Sequence, residues 1–368
     1  MQAITVPWYN ACADYAILLA RGLQSLGHRV TVAGGNGSPV IDKAREFGLA
    51  VYDLSSPASG NPLTLFLLAK AYRRFAIENE VALVNVHHGR DHLVWSLALC
   101  GTGIPLVRTS GSQVPPNRHS GSRYLIKNRT AGIIASCCTV QRFYTEGFGI
   151  EPENIPVING GVDSMYYTPG HPRNVLRSAL GIPEKAFVFG IVGRYSPVKG
   201  HRYFFAGAER VAGIFPDAWF VAAGWEAQLN EDTMRKLASE AGIIDRTRFT
   251  GRQNDIRDLL VALDAGVIAS VGSETVCRIA LEYMAMGIPV IGAATNVIPE
   301  IVRHERTGYI VPQADPESIA YAMGQLISSP ERSRTLGKTG REIIEEEYSL
   351  EKFALKTLEA YRKMTIDV

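Results

Sequence analysis

The sequence has few cysteines, no long apolar run and almost no excess charge, and each absence argues against a class of protein. The five cysteines are odd in number, scattered and without a C-x-x-C, so we expect reduced thiols, no zinc site and a cytoplasmic location. No apolar run reaches about 18 residues, so no membrane-spanning helix is expected, and no signal peptide precedes the first predicted strand. Lysine and arginine total 38 against 36 acidic residues, which gives no indication of a nucleic-acid partner.

Short apolar runs alternate with amphipathic helical stretches along almost the whole chain. This alternation predicts βαβ units and parallel sheets, an α/β protein. Predicted strands of the first half are residues 4–6, 29–33, 81–86, 105–108 and 132–135, with helices at 15–26 and 63–75. In the second half the predicted strands are 187–192, 219–222, 248–250, 265–269 and 289–291, and residues 343–364 are predicted to be helical.

The pattern changes near residues 157–168, where turn signals cluster. Asn159-Gly160-Gly161 and Pro169-Gly170 are typical of loops between domains. A chain of 368 residues suits two domains. We therefore predict a first domain at 1–160 and a second at 161–349, with a C-terminal helix of about 350–368 packing back on the first.

The segment from Gly193 to Gly200 has the composition of a phosphate-binding turn. It follows an apolar predicted strand and leads into a helix, so glycine backbone, a helix N-terminus and two cations meet at one point. Arg194 can bind two phosphate oxygens as a fork, and Lys199 acts as a point charge. The alternative is an ordinary surface turn with two solvated cations.

Two carboxylates, Glu274 and Glu282, follow the predicted strand at 265–269. We expect both on one helix, where eight residues correspond to a rise of about 12 Å. That spacing suits the two ends of one elongated ligand and is too long for a pair of hydrolase carboxylates. The alternative is that Ser273 and Glu274 cap the helix and Glu282 is structural.

Together the two motifs, G-R-x-x-x-x-K-G and E-x7-E, resemble the donor domain of family 4 glycosyltransferases. The similarity covers about residues 157–348 and includes the short segments 159–163, 249–252, 286–292, 298–300 and 307–308. The resemblance implies the GT-B fold, in which two Rossmann-like doubly wound domains face each other across a cleft. It also implies sugar transfer from a nucleotide diphosphate, UDP favoured over GDP or ADP, with retention of anomeric configuration.

The resemblance also implies roles for individual residues of the second half. Arg194 and Lys199 would hold the diphosphate, Glu274 would contact the transferred sugar, and Glu282 would bind the ribose. The remaining donor-binding residues would be Gly193, Gly251 and Arg252, the last two against the base, and the backbone amides of Asn296, Val297 and Ile298 around the sugar. One departure is that Thr275-Val276-Cys277 stands where the family often has Phe-Gly, so the backbone there approaches the sugar differently.

The first half resembles the family less closely. Many relatives have a histidine after the strand predicted at 105–108, and here Gly111 or its neighbour occupies that position. His87, His88 or His119 could replace it, or each could be a structural histidine. Asp14 is either a cleft residue or a helix N-cap, and Trp225 is expected in core or rim packing. The acceptor or cleft candidates are Asn10, Ala11, Asp14, His87, His88, Arg108 and Gly111.

No D-x-D occurs in the sequence, so we expect cations to replace a metal, with no cofactor beyond the nucleotide-sugar substrate. The expected acceptor is a lipopolysaccharide or other surface glycan or glycolipid, because the segment around His87 and His88 matches a subgroup acting on bacterial envelope glycans. Two alternatives stay open. One is an epimerase or hydrolase of nucleotide sugars, and the other is a non-catalytic nucleotide-sugar binder.

Between Asp91 and Glu146 there is no acidic residue, although the net charge of the chain is only +2. The same stretch contains aromatic residues, Tyr124, Phe143 and Tyr144. Such a segment predicts peripheral attachment to an anionic membrane at its inner face. The alternative is that each cation pairs with an acid from elsewhere in the fold. The cations are Arg108, Arg118, Arg123, Lys127, Arg129 and Arg142.

Overall fold

The computed structural model describes residues 1–54, 61–170, 174–253 and 255–365. The chain divides into two compact units. Unit 1 comprises Met1–Gly161 together with the residues from Tyr348 onward, and unit 2 comprises Val162–Glu347. Of the C-terminal helix predicted at 350–368, residues 366–368 lie outside the described residues.

Unit 1 is built on a six-stranded parallel sheet in the order β3-β2-β1-β4-β5-β6. Its strands are β1 Gln2–Ala3, β2 Thr31–Gly35, β3 Ala50–Leu54, β4 Val84–Val86, β5 Leu106–Ser110 and β6 Gly132–Ala135. Its helices before residue 161 are α1 Ala11–Ser25, α2 Pro39–Glu46, α3 Pro62–Glu78, α4 Gly89–Ala98, α5 Ser120–Asn128 and α6 Cys138–Phe148. Trp95 and Tyr72, both fully buried, pack the sheet against α3 and α4.

Unit 2 repeats this topology, since its sheet has the order β12-β11-β10-β7-β8-β9. Its strands are β7 Phe187–Val192, β8 Ala218–Ala223, β9 Thr247–Phe249, β10 Ala265–Ile268, β11 Val290–Ala293 and β12 Gly308–Val311. Its helices are α7 Asn174–Ala179, α8 His201–Ile214, α9 Glu231–Glu240, α10 Arg257–Val261, α11 Arg278–Ala285, α12 Ile298–Ile301, α13 Pro316–Ser328 and α14 Pro330–Ile343. Phe189, Phe204 and Phe220 pack in its core, and burying each contributes about 1.5–3 kcal/mol.

The last helix, α15 Leu350–Thr365, packs on α1 within unit 1. The contact is close because Gly22 lacks a side chain, and a Cβ there would lie 2.5 Å from the Leu350 carbonyl oxygen. The Tyr15 ring meets Phe353 edge-on at 4.7 Å between centroids. The Tyr361 hydroxyl accepts a hydrogen bond from the Asn85 side chain at 2.8 Å, which joins α15 to the centre of the sheet.

The prediction of two Rossmann-like α/β domains is confirmed, because both sheets have the strand order of the dinucleotide-binding folds. The predicted strands 132–135 and 187–192 coincide with β6 and β7. The first strand is displaced to Gln2–Ala3, although the Ile4 amide still bonds to the Ala33 carbonyl at 2.8 Å. Strands β3 and β12, each at a sheet edge, were not predicted. No helix among the described residues is long and apolar enough to cross a membrane.

Candidate functional site

The turn after β7 is fixed by glycines whose backbone touches neighbouring segments. Gly200 has left-handed backbone, with φ of +72°, and directly precedes α8. A Cβ at Gly200 would lie 1.9 Å from the Ala269 carbonyl oxygen, and one at Gly224 would lie 1.8 Å from that of Gly193. Both approaches are closer than any side chain permits, so the turn is held against the ends of β8 and β10.

The two sequence motifs meet at this edge of the unit 2 sheet, where β7 and β10 are neighbours. The Lys199 Nζ lies 2.5 Å from Glu274 Oε1, and the Ser270 hydroxyl donates to the same oxygen at 2.6 Å. Glu274 is only 2% exposed. Arg194, by contrast, is exposed and makes no hydrogen bond or ion pair within the described residues. The turn thus presents one free cation beside one paired cation.

Glu274 does not lie on a helix, so our prediction that α11 holds both carboxylates is wrong. Helix α11 begins at Arg278, and Glu274 lies in the loop after β10. Ser273, predicted as a helix cap, instead has left-handed backbone with φ of +66°, which interrupts any continuation toward α11. The loop is held by the Thr295 hydroxyl on the Ser270 carbonyl at 2.6 Å and by the Val297 amide on the Glu274 carbonyl at 2.9 Å.

Glu282 lies in the second turn of α11 and is 6% exposed. Its Oε1 accepts from the Arg278 guanidinium at 2.9 Å and from the Tyr167 hydroxyl at 3.1 Å. Sequence reasoning missed Tyr167, Arg278 and Ser270. Only Ser270 left a signal, as a polar residue at the carboxyl end of an apolar strand.

The segment Thr275-Val276-Cys277, which differs from the Phe-Gly often found in the family, places a thiol in the interior of unit 2. Cys277 is 1% exposed, and burial, with Glu274 as the second cause, raises the pKa of its thiol well above the ordinary value. The thiol is therefore neutral and packs next to the Glu274 loop.

Gly251 and Arg252 lie beside the same turn. Gly251 has left-handed backbone with φ of +61°, and its carbonyl accepts from the Gly224 amide at 3.1 Å. The Arg252 guanidinium lies 5.7 Å from the centroid of the Trp225 ring. Trp225 is 49% exposed, so of the two predicted placements it occupies the rim.

The three amides predicted to line a sugar pocket are not equivalent. The Val297 amide donates to the Glu274 carbonyl at 2.9 Å, and the Ile298 amide donates to the Thr295 carbonyl at 3.0 Å. Both residues are fully buried. Protein acceptors therefore occupy both N–H groups, and the assignment of Val297 and Ile298 to the sugar remains a prediction. The Asn296 amide donates no hydrogen bond to the described part of the chain, and Asn296 has left-handed backbone with φ of +45°.

In unit 1, the start of α1 contains three of the predicted cleft residues. Asn10 is the N-cap, and its side chain accepts from the Ala13 amide at 2.9 Å. Ala11 begins the helix. Asp14 is the fourth helical residue, is 5% exposed and accepts from the Tyr9 hydroxyl at 2.7 Å. Asp14 is therefore not the N-cap.

His87 belongs to a buried polar network beneath α15. Its Nε2 lies 2.8 Å from Gln2 Oε1, which also accepts from the Asn85 side chain. Because an amide oxygen only accepts, Nε2 carries the proton. Burial first, and the Arg108 charge second, lower the pKa of His87 to about 3, so the ring is neutral. This geometry indicates a structural histidine, because Nε2 is already hydrogen-bonded to Gln2 and is not available to a ligand.

The other unit 1 candidates lie at the carboxyl ends of β4 and β5. His88 is the N-cap of α4 without a side-chain capping bond, and its Nδ1 is buried without a hydrogen-bond partner. Arg108 lies within β5 and is 6% exposed. The Gly111 carbonyl oxygen lies 3.6 Å from the Cys12 sulfur. His119 instead caps α5 by accepting from the Ser122 amide at 3.1 Å, a structural role.

Both sheets have the strand order of the dinucleotide-binding folds, which defines a protein of two Rossmann-like units. The carboxyl edge of the unit 2 sheet brings together two cations and a buried carboxylate. Residues 172–343 match the family described as Glycosyl transferases group 1, and residues 13–165 match Glycosyltransferase Family 4. The second half of the chain thus matches the group 1 glycosyltransferases and the first half matches Glycosyltransferase Family 4, which confirms the predicted resemblance.

Individual relatives are more distant. A D-inositol 3-phosphate glycosyltransferase of Mycolicibacterium gilvum is 29% identical over 248 residues, which are 64% of this chain and 54% of that protein. The chain spans about half the length of the first curated relatives that it matches. Among solved structures, HepE of Anabaena in complex with UDP and glucose has a TM-score of 0.81 at 20% identity, with 98% of each chain covered. A glycosyltransferase of Rickettsia africae has a TM-score of 0.89 at 18% identity, covering 100% of this chain and 98% of that one.

Proposed function

We propose that the chain is a retaining hexosyltransferase that moves a sugar from a nucleotide diphosphate sugar, with UDP favoured over GDP or ADP, to a glycan or glycolipid acceptor. The observation that carries this proposal is the meeting of Lys199 and Glu274 beside the free cation Arg194. Diphosphate and sugar are adjacent in such a donor, and here the phosphate-binding turn and a buried carboxylate are adjacent in the same way. The UDP and glucose bound to HepE, a structural neighbour, support the choice of UDP.

The chemistry requires charge stabilisation at the leaving group. When the bond between sugar and phosphate breaks, negative charge grows on the nucleoside diphosphate. Arg194 and Lys199 supply two positive charges at a prearranged position, which is the largest kind of catalytic contribution that a protein site makes. Because these cations take the role that a metal has elsewhere, we propose that transfer is independent of metal ions.

The Lys199–Glu274 pair assigns each partner a further role. An ammonium group has three donors, and Glu274 takes one of them, so two are left for phosphate oxygens. The Glu274 Oε1 is held by Lys199 and Ser270, and the Cys277 thiol also hydrogen-bonds to this carboxylate. Glu274 is proposed to accept from a sugar hydroxyl as well. Glu282, held by Arg278 and Tyr167, is proposed to bind the ribose.

The test is a binding screen followed by a transfer assay. UDP-, GDP- and ADP-sugars are compared by thermal shift, and a donor at 100 times its Kd stabilises the protein by about 2.7 kcal/mol. Anomeric configuration in the product is then read by nuclear magnetic resonance. Release of free sugar or a C2-epimer without acceptor identifies the hydrolase or epimerase instead. Donor binding without turnover on any acceptor identifies a non-catalytic binder.

We also propose that unit 1 attaches to the anionic inner face of a membrane, where a lipopolysaccharide precursor or another surface glycolipid serves as acceptor. Four of the six cations between Asp91 and Glu146 are exposed, and none of the four makes an ion pair within the described residues: Arg118, Arg123, Lys127 and Arg142. Tyr124, 60% exposed, lies among them.

Three members of the predicted surface do not belong to it. Arg108 and Tyr144 are buried, and the half-buried Arg129 donates to the Ser96 carbonyl at 2.8 Å. The remaining four cations contribute about 1 kcal/mol each near an anionic leaflet. Co-sedimentation with neutral and anionic vesicles at low and high salt tests the proposal. Equal binding to both, or none at low salt, would remove the membrane from the function.

A further inference from the structure

Arg108 is a buried cation without a partner. It is 6% exposed, its Nη1 is buried without a hydrogen-bond partner, and it forms no hydrogen bond or ion pair within the described residues. Arg177 in unit 2 is 3% exposed, and it donates to the carbonyls of Ala262 and Ala186 and lies 2.6 Å from Asp264. Because an uncompensated buried charge is strongly unfavourable, the contrast indicates that Arg108 lacks an anion that Arg177 already has.

Arg108 lies where ligands bind in sheets of this kind. In β5 it is paired in register with Val86, the last residue of β4. Leu106, two residues earlier on the same face, packs with Val94 and Trp95 of α4. The guanidinium therefore lies on the α4 face of the sheet at its carboxyl edge, beside the first turn of a ten-residue helix.

One acid interacts with this charge without forming an ion pair with it. Asp91, in the first turn of α4, is 1% exposed; burial, the largest cause, raises its pKa, and Arg108 is among the groups that lower it. Both Asp91 oxygens accept from Thr5, Oδ2 from the amide at 2.9 Å and Oδ1 from the hydroxyl. His92 bonds to Thr130 at 2.8 Å, and burial first, with Arg108 second, lowers its pKa to about 3. Burial also lowers the pKa of His88. These histidines are neutral, so Arg108 remains a cation whose Nη1 has no hydrogen-bond partner among the described residues.

We propose that Arg108, together with the N-terminus of α4, binds a phosphate monoester carried by the acceptor. A guanidinium fork matches two oxygens of a phosphate, and a helix N-terminus favours the same anion. The double charge of a phosphate monoester suits two positive features better than the single charge of a carboxylate. The inference rests on the proposed function in one respect, that unit 1 receives the acceptor.

The test compares Arg108→Met with wild type and with Arg142→Met, a matched loss of one exposed arginine in the same unit. The melting temperature is measured in sodium phosphate and in sodium chloride at equal ionic strength. We expect the phosphate-induced increase to be the same in wild type and Arg142→Met and smaller in Arg108→Met, because the turn at Arg194 and Lys199 also binds phosphate in the proposed function. Without phosphate, Arg108→Met should melt no lower than wild type, because it removes an unpaired buried charge.

Two further arms separate this subsite from the donor site. In the Arg194→Ala background, which weakens the donor turn, Arg108→Met should still reduce the remaining phosphate-induced increase, and UDP affinity measured by calorimetry should be unchanged in Arg108→Met. Failure of wild type to bind any nucleotide would contradict the proposed function and leave the phosphate result standing. Glycerol phosphate in solution and phosphatidic acid in vesicles then distinguish a soluble from a lipid phosphate.

Three results would overturn the inference. The first is the same phosphate-induced increase in Arg108→Met as in wild type. The second is equal protection of wild type by acetate, which would assign a general anion site. The third is a lower melting temperature of phosphate-free Arg108→Met that Arg108→Lys restores without restoring phosphate protection, which would make Arg108 a structural cation.

Discussion

The two units share one strand order and differ in whether their buried charged groups form ion pairs. In unit 2 the charged groups are joined in pairs: Lys199 with Glu274, Arg278 with Glu282, and Arg177 with Asp264. In unit 1 the buried Arg108 has no such partner, and the buried histidines around it are neutral. The comparison indicates that unit 2 is arranged before its ligand arrives, whereas unit 1 leaves one charge for a ligand to complete.

This difference in ion pairing affects the free energy of unfolding. Removing one member of a buried pair leaves an uncompensated charge and costs about 3–5 kcal/mol. The unit 2 site therefore depends on its pairs for stability as well as for binding. Arg108 lacks such a pair, and the proposed phosphate ligand would supply one. Variants of each unit can test this division.

The largest expected effect concerns the phosphate-binding turn. Arg194→Ala or Lys199→Ala should reduce turnover about 10²-fold, because each removes a charge that stabilises the leaving group. Only Lys199→Ala should also lower the melting temperature, since only Lys199 is paired with a buried carboxylate. Steady-state kinetics and thermal unfolding measure both effects. Arg202→Ala, which removes an exposed cation just after the turn, is the control, and near-normal kcat/KM in both variants would rule the turn out.

The two carboxylates should separate nucleotide binding from transfer. Glu282→Gln should weaken binding of the nucleoside diphosphate about tenfold, as the loss of a charge-assisted hydrogen bond does. Glu274→Gln should leave that affinity unchanged and reduce transfer, because Glu274 is assigned to the sugar. Calorimetry with the diphosphate distinguishes them, and Glu184→Gln on the surface serves as control. The reverse pattern would mean that the donor lies in the opposite direction.

The sequence predicted the architecture well because both sheets are built from apolar strands that repeat with helices. It also selected Lys199 and Glu274, which the structure brings into contact, because glycines and charges at fixed spacing suggest phosphate chemistry. The roles assigned to Arg194, Lys199, Glu274 and Glu282 remain predictions. It did not predict that Glu274 lies in a loop. The residue with left-handed backbone is Ser273, and a serine does not signal that conformation as a glycine would.

Contacts between distant segments of the chain could not be predicted from the sequence either. The Tyr167 bond to Glu282 spans 115 residues, and the Lys199 bond to Glu274 spans 75. Nor does any local pattern distinguish the paired Arg177 from the unpaired Arg108. Their difference arises only when the strands are assembled.

A smaller difference between the units should appear on mild acidification. Burial first lowers the pKa of His87 and His92 in unit 1 to about 3, and that of His201 in unit 2 to about 4. These folded-state values lie below the unfolded value of about 6.5, so the stability is complete above that pH and falls as the pH decreases. Burial also lowers the pKa of His88, so among the described residues unit 1 has three such histidines and unit 2 has one. Each histidine with a folded-state pKa of about 3 to 4 corresponds to about 1.4 kcal/mol at pH 5.5.

Hydrogen-exchange pulse labelling in urea, at pH 7.5 and pH 5.5, measures this loss for each unit separately. Unit 1 should lose more stability than unit 2. His92→Gln should reduce the difference, and the exposed His28→Gln should not. An equal loss in both units would show that the buried histidines do not set the acid response.

The smallest expected effect is that of chelation. Turnover should be unchanged by EDTA, because Arg194 and Lys199 already bring two positive charges to the leaving diphosphate. A divalent metal would need carboxylate oxygens, but Glu274 Oε1 is taken by Lys199 and Ser270, and Glu282 Oε1 is taken by Arg278 and Tyr167. Each carboxylate already has a cation beside it, and that positive charge opposes the approach of a metal ion. Loss of activity in EDTA, restored by Mg²⁺ or Mn²⁺, would mean that ligand binding rearranges these pairs, and the contrast between a prearranged unit 2 and an incomplete unit 1 would no longer hold.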